Sequence, residues 1–354
     1  MKRTAAILTL GRFETPDAKT AHGLVRGPSR FRIVGVVDAR GAGKDAGTLL
    51  DGVERGIPVF ASLVELLEHV RPDCVVVGVA THGGVLPAEF RAVLREALVR
   101  GIGVVNGLHE ILSRDPELSE IARANGTEIV DIRAPKPRAE LHFWTGAVLS
   151  VGAPRIAVLG TDCALGKRTT CQLLAAACEE TGLRAGIVAT GQTGWLQGID
   201  HGFVLDATPN DFVSGELEHA IVSLDRERSP DVILLEGQSA LRNPAGPCGA
   251  ELILSGRAAA VVLQHAPARR FFDDQEELGL KIPPIAEEIE LIRLYGSRVI
   301  AITLNHTGLA DAALAEARAS LSRETGLPVV APLIDGCGAL VPLVRELVAR
   351  ERRT

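Results

Sequence analysis

The chain has 354 residues, of which 46% are hydrophobic and only 3% aromatic, with a formal net charge of −6. That length exceeds one ordinary core and predicts two domains, while the scarcity of rings and the acidic balance argue against nucleic acid as a partner. No apolar run reaches the roughly 18 residues of a bilayer span, so no membrane is expected either. The start, Met1-Lys-Arg-Thr-Ala-Ala-Ile-Leu-Thr-Leu-Gly11, reads as a first strand and not as a signal peptide. Six scattered cysteines without a Cys-x-x-Cys pair predict neither disulfides nor a zinc site, and fit a reducing cytoplasm.

Strands are expected at 5–10, 31–38, 74–79, 102–106 and 128–132, with helices at 63–70 and 86–100. This alternation predicts a doubly wound, Rossmann-like parallel sheet, in which ligands sit beyond the carboxyl ends of the strands. The dinucleotide fingerprint Gly-x-Gly-x-x-Gly is missing after the first strand, where Gly11 stands alone. Asp38 has the right place to hold a ribose hydroxyl but lacks the glycine triplet, and the stretch Gly41 to Gly47 reads as a flexible loop. Pro135, Lys136, Pro137 and Arg138 mark a crossover, which divides the chain into domains 1–140 and 141–354.

The second domain opens on Arg155-Ile-Ala-Val-Leu-Gly-Thr-Asp-Cys-Ala-Leu-Gly-Lys-Arg-Thr-Thr170. An aliphatic strand, a glycine loop, a lysine and a helix expected over 172–180 make a phosphate-binding loop: backbone N–H groups and a helix N-terminus converge, and Lys167 adds a full charge. The fold class is therefore α/β throughout, an N-terminal Rossmann-like sheet followed by a P-loop NTPase-like domain. The loop departs from the usual spacing. Five residues, Thr161, Asp162, Cys163, Ala164 and Leu165, separate Gly160 from Gly166, and Arg168 stands where the Mg²⁺-ligating hydroxyl belongs. Thr169 and Thr170 lie one and two positions further on. The loop thus suits a polyphosphate more clearly than it suits polyphosphate hydrolysis. Further strands are expected at 185–189, 231–235, 258–264, 299–304 and 329–332, and helices at 211–224, 285–295, 310–325 and 341–350.

Several residue groups near these strand ends carry chemistry. Glu236 ends an apolar strand beside the loop, where it serves as a general base, holds a metal through water, or pairs with Lys167. Thr190-Gly-Gln-Thr-Gly194 is either a tight turn or a ligand loop, with Gln192 offering donor and acceptor and Gly191 and Gly194 offering backbone N–H groups. His201 and Asp206 follow and are the other candidates for deprotonating an amine. Asn305, after a strand, either reads an adenine ring or caps the next segment. Arg242 is read as a free cation able to clamp a substrate carboxylate.

Gly160-Thr-Asp-Cys-Ala-Leu-Gly-Lys-Arg-Thr-Thr170 resembles the loop of the DgcN-type D-glutamate N-acetyltransferase family. Matching segments run along the chain: Asp17-Ala-Lys-Thr-Ala-His-Gly-Leu24, Thr190-Gly-Gln-Thr-Gly194, Asp211-Phe-Val-Ser-Gly215, Leu235-Glu-Gly-Gln-Ser239 and Ile285-Ala-Glu-Glu-Ile-Glu-Leu291. The family loop commonly has methionine at the position of Arg168, so it too lacks the Mg²⁺ hydroxyl. The resemblance implies a Rossmann-like domain, a P-loop domain, and acetyl transfer from acetyl-CoA to the amino group of D-glutamate or a related D-amino acid. Going beyond the resemblance, Gly160 to Thr170 are expected to hold the coenzyme A phosphates, with Lys167 and Arg168 as counter-charges and no metal. Glu236 would take the amine proton, donors near Gly191 and Gly194 would face the oxyanion, and Arg242 would orient the substrate. The partner is then a small molecule, and the protein acts alone or as a homo-oligomer. Two other readings remain: an ATP-dependent ligase or kinase of the dethiobiotin synthetase type, in which Thr169 or Glu236 would serve Mg²⁺, and a nucleotide-sensing module.

Overall fold

A computed structural model describes residues 2–351. The chain forms two compact units, Met1–Lys136 with Gln192–Asp200, and Pro137–Gly191 with His201–Thr354. No helix among the described residues is long and apolar enough to cross a membrane.

The first unit is a six-stranded parallel sheet of β1 (Thr4–Leu8), β2 (Arg32–Val37), β3 (Val59–Phe60), β4 (Cys74–Val77), β5 (Gly103–Asn106) and β6 (Ile129–Asp131), in the order β3-β2-β1-β4-β5-β6. Ala5 to Leu8 and Cys74 to Val77 are buried on both faces, which is why these strands read as unbroken apolar runs without alternation. β1 stops at Leu8, short of the expected residue 10, because Leu10 and Gly11 take positive φ and turn the chain over β2. Asp38 organises that turn. Its carboxylate accepts from the Thr9 hydroxyl at 2.8 Å and from the N–H groups of Gly11, Phe13 and Arg40 at 2.8, 2.9 and 3.0 Å. Its acceptor capacity therefore goes to backbone, not to a ribose.

Among the described residues, four α-helices in this unit escaped the sequence reading, one of them Gln192–Leu196. Lys19–Arg26 lies in the segment after β1, and Pro116–Ala124 follows an Asp115 cap. Ala46–Asp51 occupies the glycine-rich stretch expected to be a flexible loop, with Asp45 accepting from the Thr48 N–H at 2.9 Å. Gly47 there is a packing glycine: a Cβ would stand 2.2 Å from the Val53 carbonyl. The segment 192–200 also belongs to this unit. Leu196 lies in the core with Ala5, Ile7 and Phe31, and Gln197 donates to the Gly23 carbonyl at 2.8 Å.

The second unit is another six-stranded parallel sheet: β7 (Arg155–Gly160), β8 (Ala185–Val188), β9 (Val232–Glu236), β10 (Ala258–His265), β11 (Val299–Leu304) and β12 (Val329–Val330), ordered β12-β11-β10-β7-β9-β8. β7 is central, so the loop it feeds is flanked by the carboxyl ends of β9 and β10. One apolar layer packs on each face of the sheet, one around Leu217, Ile221 and Leu263, the other around Leu174, Leu234 and Val344. The helix after β7 spans Lys167–Glu180 (hereafter the loop helix), five residues earlier than expected, because the lysine itself forms its first turn.

The chain entering this unit is anchored by two buried glutamates of the helix Asn210–Arg228. Glu216 accepts from the N–H and Nδ1 of His142 at 2.9 and 2.8 Å. Glu218 accepts from the Thr145 N–H and hydroxyl at 2.7 and 2.8 Å and from the Val148 N–H at 3.2 Å. Burial alone would raise the Glu218 pKa, but these donors outweigh it and hold the carboxyl below its usual value. Its stabilising contribution is therefore complete above the ordinary glutamate range and is lost as pH falls through the depressed folded value. Glu218→Ala should cost about 2 kcal/mol near neutral pH by leaving backbone donors unpaired, and the deficit should shrink in acid, as measured by urea unfolding across pH.

Candidate phosphate-loop site

The loop starts where β7 ends and closes on Gly166, whose φ of 99° is a left-handed conformation suited to glycine. Lys167 is buried, and its Nζ donates to the carbonyls of Asp162 at 2.6 Å and Ser239 at 2.8 Å. Burial pushes the ammonium pKa down, against the pull of Cys163, Asp162, Cys248 and Glu236. Glycines at 160 and 237 make room for this side chain. A Cβ on Gly160 would lie 3.1 Å from Lys167 Cδ, and one on Gly237 would lie 2.3 Å from the Val158 carbonyl and 3.2 Å from Lys167 Cδ.

The side chain of Asp162 fastens the loop to its surroundings. It is fully buried, and accepts from Asn243 Nδ2 at 3.0 Å, from Arg269 Nη1 at 2.8 Å and from the Asp273 N–H at 2.8 Å. Arg269 also donates to the Cys163 carbonyl at 2.9 Å. Cys163 in turn lies 3.3 Å from the Ser239 hydroxyl, and Ala164 has a positive φ of 51°. Thr161 bonds His265 Nδ1 at 3.0 Å, and burial pushes the His265 pKa down to about 4, so that imidazole is neutral near neutral pH.

The hydroxyls downstream of Lys167 divide differently from a Mg²⁺-binding loop. Arg168 takes the usual hydroxyl position and reaches Glu236, with Nη1 3.7 Å from Oε1. Thr170 is buried and donates to Gln264 Oε1 at 2.6 Å, an oxygen that also accepts from Thr303 at 2.7 Å. Glu236 is buried at the end of β9, and its Oε2 accepts from the Thr190 N–H at 3.2 Å. Burial raises its pKa, opposed by Arg168, the Thr190 N–H and Lys167. Glu236 therefore faces Arg168, and the alternative of a Glu236–Lys167 pair gives way to the two carbonyls that hold Lys167.

Other expected site residues are placed less simply. Asn305 touches the loop, donating to the Leu165 carbonyl at 3.1 Å, while its Oδ1 accepts from the Thr307 N–H at 2.9 Å. That is an Asx turn and not a helix cap, because the next helix, Asp311–Thr325, has Ala310 at its N-cap position with no side-chain bond. Arg242 is not a free cation: it bonds Glu288 at 2.8 Å and Glu287 at 2.7 Å, and one buried nitrogen, Nη2, has no hydrogen-bond partner among the described residues. His201 lies 3.5 Å from Glu227, and Asp206 is exposed on the short turn Leu205–Ala207. Gln192 and Gly194 are not part of a turn: they form the first residues of the helix Gln192–Leu196, in the first unit. Thr169 is half-buried on the first turn of the loop helix. The sequence reading missed Arg269, Asn243, Gln264 and His265. All four follow or end β9 and β10, so a search beyond every strand end flanking β7 would have found them.

A family model described as a domain of unknown function, the DUF1611_C P-loop domain, matches residues 142–341, and one described as the DUF1611_N Rossmann-like domain matches residues 39–135. The chain belongs to the DUF1611 family. Its two α/β units are the Rossmann-like and P-loop domains of that family. A crystal structure of a DUF1611 family protein from Anabaena variabilis is 31% identical, covers 97% of this chain and 99% of its own, and has a TM-score of 0.88. Two relatives carry the name D-glutamate N-acetyltransferase. The one from a Pseudoalteromonas species is 31% identical and the one from Tritonibacter scottomollicae 29% identical, each over 75% of this chain and 79% of the relative.

Because Asp162 neutralises and orders Arg269 beneath the loop, Asp162→Ala should lower stability by about 3 kcal/mol in chemical denaturation. Asp162→Asn, which keeps the shape, should lose less.

Proposed function

We propose that this protein transfers the acetyl group of acetyl-CoA to the amino group of D-glutamate or a related D-amino acid. The relatives' names supply the reaction class. The observation that carries the reading is the loop itself, where Arg168 occupies the Mg²⁺ hydroxyl position and the nearby Thr170 hydroxyl is spent on Gln264. Such a loop offers backbone N–H groups, a helix N-terminus and two cations, which match the pyrophosphate and 3′-phosphate of coenzyme A without a γ-phosphate metal site. The glycines at 160 and 237 fit that role, since they let Lys167 fold against the strand ends beneath the nest.

Acetyl transfer needs a neutral amine, and Glu236 is the proton acceptor in this reading. A buried carboxyl with a raised pKa binds a proton more tightly than an exposed one, which suits uptake from an ammonium near neutrality. Arg242, already paired to Glu287 and Glu288, offers its remaining Nη2 to a substrate carboxylate, so it would act as one donor of a site and not as a lone bidentate clamp.

The test is to incubate the protein with D-glutamate and either acetyl-CoA or Mg-ATP while following free thiol and ADP. D-glutamate-dependent thiol release that persists in EDTA is expected. ADP formation without thiol would overturn the proposal in favour of an ATP-dependent ligase or kinase, and tight nucleotide binding without turnover would favour a sensor. Lys167→Ala should raise KM for acetyl-CoA about tenfold or more, equivalent to roughly 1.4 kcal/mol of lost charged contact. An unchanged KM would remove the loop from the cosubstrate site.

A further inference from the structure

Among the described residues Arg168 is the ion-pair partner of Glu236, and it lies on the first turn of the loop helix. An anion held at that helix N-terminus would meet the same guanidinium. We propose that Arg168 controls the ionisation of Glu236, so that filling the phosphate loop drives a proton onto that carboxyl. This deepens the acetyltransfer reading and rests on it for its catalytic meaning, though not for its physical content.

The surroundings of Glu236 leave few other controls. The loop helix brings Arg168, Lys167 and the Cys171 thiol; burial keeps Cys171 protonated, since its pKa lies well above the usual value. β7 places Val158 alongside in register, and the segment after β8 brings the Thr190 N–H at 3.2 Å. Lys167 is turned away onto two carbonyls. The 3.7 Å approach of Arg168 is charge compensation without a hydrogen bond within 3.5 Å. Such a contact is electrostatic in character and weakens as soon as a phosphate shares the guanidinium. Loss of that compensation makes the carboxylate costlier, its proton affinity rises, and one proton is taken up from solvent or from the arriving ammonium group. With coenzyme A alone that proton comes from solvent; where the ammonium group is already in place it supplies the proton instead, so the amine is deprotonated only once the loop is filled.

The titration of Glu236, followed by carboxyl ¹³C NMR and assigned with Glu236→Gln, tests this directly on the full chain. Arg168→Gln should move the midpoint upwards by roughly one unit or more, and Arg168→Lys, which keeps the charge, should restore most of the shift. In the wild-type protein, adding coenzyme A should move the same midpoint upwards. Calorimetry in two buffers of different ionisation enthalpy should show proton uptake on binding that Glu236→Gln abolishes. A midpoint that Arg168→Gln leaves in place, or equal uptake in wild type and Glu236→Gln, would overturn the proposal. If coenzyme A does not bind, the acetyltransfer reading fails, yet the Arg168 arm still decides the inference. If Arg168→Gln does not fold, the wild-type titration with coenzyme A decides it.

Discussion

The candidate site depends on β7 lying between β10 and β9 in a parallel sheet. All strands of such a sheet release their chains at one edge, so the centre strand's loop must meet the ends of both neighbours. Lys167 follows β7, Glu236 ends β9, and Gln264 and His265 end β10. Three stretches separated by up to about a hundred residues in sequence thereby converge on one place. No local propensity brings them together; the strand order does.

Convergence puts polar groups where water is scarce, and the loop satisfies them in pairs. Asp162 supplies one buried carboxylate to Asn243, Arg269 and the Asp273 N–H, and Gln264 supplies one carbonyl oxygen to Thr170 and Thr303. Each is a hub that ties the loop to a neighbouring strand or connection. A loop held this way keeps its shape without a ligand, which lowers the ordering cost of binding. Glu236 is held more loosely, by one N–H and one guanidinium beyond hydrogen-bond distance.

The first unit uses the same logic for a different end. Asp38 sits where a Rossmann sheet often presents an acid to a ligand, yet it spends its oxygens on Thr9, Gly11, Phe13 and Arg40. The absent glycine triplet was the sequence's warning of this. Gly47 makes the converse point: a glycine inside an apparently loose stretch proves to be a contact glycine in a capped helix. Composition alone does not separate these cases, since flexibility and close approach both select glycine.

Most of the strands, the two-domain α/β class and the phosphate loop were legible in the chain, because apolar runs of strand length and the Gly-Lys turn are local signals, while short or weakly apolar elements such as β3 and the helix Ala46–Asp51 were not. The ends of the legible elements shifted by a few residues wherever a turn such as Leu10–Gly11 or a first helical turn such as Lys167 carried no apolar mark. The identities of Lys167, Arg168 and Glu236 as charged groups near one another were equally readable from the motif. Their pairing was not. Lys167 turns to carbonyls, Arg168 to Glu236, Arg242 to Glu287 and Glu288, and Thr170 to Gln264, and these choices follow from distances between segments far apart in sequence. The chain determined which chemical groups stand at the strand ends; the fold decided which of them face each other, because side-chain direction and burial are set only once the sheet has assembled.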